Sequence, residues 1–222
     1  MKPTVVFIHT VCGLKPLFDK VLGRFCQAVE TCHIADETLI RSILAAGGLT
    51  PAIRARLREN VLAADRFGAN VIQMTCSTIS PCVAELAPLV KARLLTIDEP
   101  MVEDAVTRFQ RIGVIATNPA TLRPSTELVV EKARQLGRAV QVESVVCENA
   151  YAAFLSGDVA QHDLIVKKHL RQLMDSVEVV LLAQVSMTRI VDTMAPDEQK
   201  VPILSSPEPA MRRLAAVLEE QR

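Results

Sequence analysis

The sequence predicts an α/β fold of two pseudo-symmetric lobes, each with a mainly parallel sheet flanked by helices, and an active-site cleft between them. Two observations carry this. Short segments that are apolar or nearly so, such as VVFI, VIQM, GVIA and VVLL, alternate with amphipathic helical stretches, the pattern of parallel strands covered on both faces. The order then repeats: Thr10 and Thr117 stand 107 residues apart, Gly48 and Gly157 109, Glu99-Pro and Glu208-Pro 109, and Cys76 and Gln184 108. The expected division is residues 1–98 with 207–222 as one lobe and 99–206 as the other.

Taken in order, residues 4–10 read as a strand, and 17–31 as a helix, with Leu17, Val21, Phe25 and Ala28 at helical spacing. A short strand near 32–35 follows. Asp36 then caps a helix to Ala46 that Gly47-Gly48 ends, and Pro51 opens a helix to Phe67 with Ile53, Leu57, Val61 and Ala64 on one face. Residues 71–75 form a strand that turns at Cys76 into a further helix; a strand at 93–97 and a helix from Asp98 complete the first pass. The second pass has strands at 111–117, 140–146, 177–187 and 201–206, the third of them turning into a helix. Its other helices cover 122–135, 149–155 and 160–176, the last with Leu164, Ile165, Leu170, Leu173 and Val177 as its apolar set, and an amphipathic helix closes the chain.

Composition narrows the function. The 222 residues carry 25 basic and 25 acidic side chains, no Trp and one Tyr, so neither a basic footprint nor a stacking platform for nucleic acid is present. The opening MKPTVVFIHTVCGL reads as a first strand rather than a signal peptide, and no run approaches the ~18 apolar residues of a membrane span, so a cytoplasmic, soluble chain is expected. The six cysteines contain no C-x-x-C pair, which argues against a zinc site or a redox motif. Small-molecule chemistry without metal or cofactor is the expectation. A homodimer, the commonest assembly, is a candidate.

The chemistry centres on Cys76. At a strand-to-helix corner it would face backbone N–H groups and the positive end of a helix dipole, which favour thiolate over thiol and bind a substrate carboxylate. The ordinary alternative is a small, inert, buried side chain. If the two lobes face each other, the carboxyl ends of corresponding strands meet at one ligand. Cys76 and Gln184 would then view it from opposite sides, with Thr10, the Cys12 loop, Ser77, Thr78, Thr117, Asn118 and Ser186 around it.

The segments FIHTVCGL, GANVIQMTCSTISP, TIDEPMVEDAV, RIGVIATNPATLRPS, LLAQVSM and VPILSSPE, in this order, resemble the aspartate/glutamate/hydantoin racemase superfamily over nearly the whole chain. The resemblance implies two α/β lobes, no pyridoxal cofactor, and a cysteine from each lobe flanking the substrate α-carbon. The first family cysteine matches Cys76, and the neighbouring polar pair Ser77 and Thr78 would hold a carboxylate. The second falls on Gln184, followed by Val185 and Ser186; an amide neither gives nor takes a proton near neutral pH. Single-face proton transfer at the α-carbon of a small amino acid or dicarboxylate is therefore the leading reading. A decarboxylase or cis–trans isomerase of the same superfamily, a covalent thioether mechanism and a non-catalytic carboxylate-binding protein are the alternatives. Two-sided racemisation would need His9, Cys12 or a water as second donor, although His9 also reads as a satisfied core histidine. His162, placed with Asp163 in the loop and first turn after Gly157, is a further substrate contact to test.

Overall fold

The computed structural model describes residues 2–221. The chain forms two compact units, one running to Ile97 and resuming at Pro207, the other Asp98–Ser206. In the first, β1 (Thr4–His9), α1 (Lys15–Leu22), β2 (Glu30–Ala35), α2 (Glu37–Ala46), α3 (Pro51–Arg66), β3 (Val71–Met74), α4 (Val83–Leu86) and β4 (Arg93–Leu95) follow in order. In the second come α5 (Glu99–Arg108), β5 (Arg111–Ala116), α6 (Pro119–Gln135), β6 (Gln141–Val146), α7 (Ala150–Leu155), α8 (Val159–Leu173), β7 (Val179–Leu182), α9 (Thr188–Asp192) and β8 (Ile203–Ser205). The helix α10 (Pro207–Glu220) returns to the first unit and packs on α1 and β3.

Each unit holds a four-stranded, wholly parallel sheet, in the orders β2-β1-β3-β4 and β6-β5-β7-β8. The central strands are buried along their length, which is why VVFI and VVLL show no polar alternation. In each sheet the chain passes to one side after the first strand and to the other after the third. The crevice at the carboxyl ends of β1 and β3, and that of β5 and β7, is thus the topological switch point where α/β sheets take ligands. Gly113 serves packing in β5: a Cβ there would stand 2.9 Å from Leu173 Cδ2, so its absence lets α8 approach the sheet.

Several local expectations hold for visible reasons. Asp36 caps α2 by accepting from the Thr38 N–H at 3.2 Å, and its second oxygen accepts from Arg56 Nε and Asn60 Nδ2 at 2.8 and 2.9 Å, tying α2 to α3. Gly47 ends α2 at φ 70°, a left-handed conformation that suits glycine.

Three expectations are corrected. The helix expected over 17–31 is α1 and stops at Leu22. The Gly23 N–H closes it onto Asp19 and Val21, and the chain then turns so that Glu30–Ala35 can pair with β1 as a full strand. Phe25, which mimicked a helical core position, lies against the guanidinium groups of Arg24 and Arg212 at 5.6 and 5.3 Å. Secondly, no long helix follows Cys76. Residues 77–79 are turns, then Ser80–Cys82 and Ala87–Leu89 form 3₁₀ turns on either side of the four-residue α4. Pro81 and Pro88 each lack the N–H that a continuous ladder needs. The dipole contribution expected at Cys76 therefore does not arise from a regular helix. Thirdly, the apolar face of α8 differs from the expected one: His162 stands in the first turn of the helix, as expected, but on its buried side. Asp158 caps α8 by accepting from the Gln161 N–H, and the buried stripe of that helix is His162, Val166, Leu170 and Leu173, while Leu164 is exposed.

Candidate active site

In the first unit the sheet ladder continues one step past β3. The Thr75 N–H donates to the Ile8 carbonyl at 3.1 Å, which places Cys76 beside the end of β1, where Thr10 follows His9. Cys76 is half-buried, and its carbonyl accepts from the Ile79 N–H at 3.2 Å, closing the turn that buries Ser77 and Thr78. The remaining thiols are in different situations. Cys82 and Cys147 are fully buried, and burial pushes them up to about 11 and about 12. Cys12 is exposed on the loop after β1; its N–H donates to Glu37 Oε1 at 3.1 Å, and hydrogen bonding between its thiol and Glu37 raises its pKa.

The second unit has the same corner with different chemistry. The Ala183 N–H donates to the Ile115 carbonyl at 3.0 Å, and Gln184 occupies the position that Cys76 holds in the first unit. Gln184 Oε1 accepts from the Thr117 N–H at 2.6 Å and from Thr117 Oγ1 at 2.8 Å. A backbone N–H can only donate, so this contact settles which end of the amide is oxygen. With both lone pairs engaged, Gln184 offers a further ligand only its two N–H donors. Asn118 is engaged similarly, its Oδ1 accepting from the Thr121 N–H at 2.9 Å as the cap of α6. Val185 and Ser186 lie in a short 3₁₀ turn, Val185–Met187, that precedes α9 and is knit by the Met187 N–H donating to the Gln184 carbonyl at 3.1 Å.

His162 lies 2.7 Å from Asp163 Oδ1 through Nδ1, and Arg189 Nη2 donates to the same oxygen at 2.6 Å. Burial pushes Asp163 up, but the bonds from Arg189 and His162 outweigh it and hold the carboxyl below its ordinary value. This cluster ties α8 to α9.

His9 belongs to a buried chain that sequence reasoning missed. Its Nδ1 is 2.8 Å from Thr75 Oγ1, and its Nε2 is 2.8 Å from His33 Nδ1. His33 Nε2 in turn is 3.1 Å from Asp19 Oδ1, which also accepts from Thr31 Oγ1, while Lys15 Nζ donates to Asp19 Oδ2 at 2.6 Å. Phe7 and Phe18 pack against these imidazoles. Burial first, then neighbouring His33, lowers His9 to about 4, so it is neutral at pH 7. The available signal was positional: His9 and His33 both stand near the carboxyl ends of adjacent strands.

Among the described residues no group of His, Cys, Asp and Glu side chains is arranged to hold a metal, and no helix is long and apolar enough to cross a membrane. Twin parallel sheets, each with a polar corner at its switch point, define a class of duplicated α/β proteins built for small ligands. The family described as Asp/Glu/Hydantoin racemase matches residues 34–214, and the chain belongs to that family. It is thus a racemase-like enzyme, from a family that acts on small amino-acid substrates. Solved structures share the fold at low identity. A glutamate racemase from Bacillus anthracis is similar at TM-score 0.77 and 18% identity, over 99% of this chain and 82% of that one. An aspartate racemase from Picrophilus torridus gives 0.72 and 16%, over 100% and 94%. An allantoin racemase from Klebsiella pneumoniae gives 0.67 and 13%, over 99% and 89%. No curated protein matches the chain in sequence.

Proposed function

We propose that the protein moves a proton at the α-carbon of a small amino acid or dicarboxylate without a cofactor, with Cys76 as its only thiol acid/base. The observation that carries this is the contrast between the two equivalent corners: a half-buried thiol in one, and in the other an amide whose oxygen is already committed to Thr117. The Cys76 thiolate takes the α-proton and becomes a thiol, and the electron pair passes into the substrate carboxylate as an enediolate. Backbone N–H groups at the corners, Ser77, Thr78, Ser186 and the N–H donors of Gln184 stabilise that charge, while Thr117, its own donors spent on Gln184 Oε1, holds that amide in place. Collapse returns a proton from the Cys76 thiol to the same carbon face. Where the substrate instead loses carbon dioxide, the same thiol protonates the resulting carbanion.

A single donor serves a single face, so exchange with retention, or product of one handedness, is expected in place of racemisation. We take the protein to act in the cytoplasm, with a homodimer as the assembly to test by light scattering. The functional test is a panel of amino acids and dicarboxylates in heavy water, scored for α-deuterium, inversion and carbon dioxide. Exchange or decarboxylation of one stereochemical course, absent in Cys76→Ala, supports the reading. Efficient inversion by the unmodified protein overturns the one-donor mechanism, and tight binding with no exchange marks a carboxylate-binding protein.

A further inference from the structure

The buried chain Asp19, His33, His9, Thr75 has two self-consistent hydrogen-bond directions. With Asp19 ionised and both imidazoles neutral, the carboxylate can only accept. His33 then donates through Nε2–H, its Nδ1 accepts from His9 Nε2–H, and His9 Nδ1 accepts from the Thr75 hydroxyl. If one proton is added to His33, both its nitrogens become donors. His9 Nε2 must now accept, its proton resides on Nδ1 and is donated to Thr75 Oγ1, and the Thr75 hydroxyl turns to the Ile8 carbonyl, 3.0 Å away. Both acceptors for that hydroxyl are within hydrogen-bond distance already, so no heavy atom needs to move.

The chain also leads from outside to inside. The Asp19 side chain is 33% exposed and that of His33 8%, while His9 and Thr75 are 2% and 3% exposed as residues. Among the described residues, the charged groups that act on His33 are Asp19 and Lys15, both on α1, so a proton at His33 is balanced by the carboxylate and opposed by the ammonium; at the other end of the chain Thr75 precedes the titratable Cys76. Nothing in the architecture demands this network. The second unit builds the same sheet with Ala116 at the position of His9, Ser144 at that of His33 and Ala183 at that of Thr75, as the strand registers show.

We propose that Asp19, His33, His9 and Thr75 form a two-state proton relay, in which a proton taken up at His33 switches the tautomer of His9 and turns the Thr75 hydroxyl, beside Cys76. His9 stays neutral in both states, so the protonation state of the outer end is passed to the residue before the thiol without placing a charge on His9 itself. The relay stands on the geometry of the first unit; only its bearing on Cys76 rests on the function proposed above.

The test is long-range ¹H–¹⁵N correlation of the ¹⁵N-histidine-labelled protein over about pH 4.5 to 8, with the four histidines assigned by single substitutions. At high pH both His9 and His33 should carry Nε2–H. As pH falls, His33 should gain its second proton while His9, at the same midpoint, exchanges pyrrole-like and pyridine-like signals between its nitrogens. Asp19→Asn should move both midpoints to lower pH together. His9 keeping Nε2–H while His33 protonates, or His9 protonating fully in that step, would overturn the relay, as would a midpoint shift in Asp19→Asn confined to His33. The unmodified protein decides the question even where a variant folds poorly. Because no turnover is read, failure here is distinct from failure of the Cys76 assignment.

Discussion

Gln184→Glu separates the two ends of one side chain. The oxygen end is a structural anchor: Thr117 is 4% exposed, and its N–H and hydroxyl both donate to Gln184 Oε1. Removing that acceptor in Gln184→Ala leaves a buried N–H unpartnered, a loss of about 1–3 kcal/mol in stability, since the hydroxyl can rotate elsewhere but the amide cannot. A glutamate retains an acceptor of the same reach, so its unfolding free energy should stay within about 0.5 kcal/mol of the parent. The nitrogen end is where activity should respond. Replacing an N–H donor to a substrate carboxylate or enediolate loses a charge-assisted bond of about 1.5–3 kcal/mol, and a carboxylate there adds like-charge repulsion. Together these predict at least a ten- to hundredfold fall in kcat/KM for α-deuterium exchange at pH 7. Denaturant unfolding and exchange rates, measured on the same three proteins, check both halves. A Gln184→Glu protein that is stable and within about twofold of parental activity would refute the donor role, and one as unstable as Gln184→Ala would refute the anchor.

Other consequences follow from the same geometry. Iodoacetamide at mildly acidic pH should label Cys76 ahead of the buried Cys82 and Cys147 and of Cys12, whose thiol Glu37 holds protonated, and a bound dicarboxylate should protect it; mass spectrometry of digests would show uniform labelling or preference for Cys12 if the assignment is wrong. Gln184→Cys should add measurable inversion, read by chiral chromatography, because a second thiol then stands at the equivalent corner, and exchange without any new inversion would count against that corner as a proton-delivery position. Folding stability should fall as pH drops from about 6.5 toward about 4, because the unfolded state binds a proton that buried His9 refuses. That contribution, about 3 kcal/mol when fully present above pH 6.5, should be lost progressively over the window and absent from the pH slope of His9→Phe in denaturant titrations.

Much of the fold is legible because its signals are local. Asp36 and Gly47 mark α2 at both ends, and the unalternating apolar runs mark the central strands, since a strand buried on both faces has no polar side to show. The failures share a cause. Phe25 and Ala28 continue the spacing of α1 although Gly23 has ended it, so the first two residues of β2, Glu30 and Thr31, fell inside an expected helix, while the expected strand at 32–35 is the rest of β2 and carries His33. The polar run after Cys76 looks like a helix start, but Pro81 and Pro88 leave no room for a continuous ladder between them. At the site, the 108-residue offset reveals that Cys76 and Gln184 are equivalent, whereas hydrogen-bond direction is not written in any spacing. His9 meets His33 across 24 residues and Thr75 across 66 only because β2 and β3 both pair with β1. Duplication sharpens the point. Two copies of one architecture keep the same backbone bonds at the strand ends, Thr75 to Ile8 and Ala183 to Ile115, yet one copy surrounds its corner with ionisable groups and the other with alanines and an anchored amide. The fold supplies the positions twice, and a thiol stands at one of them and an anchored amide at the other.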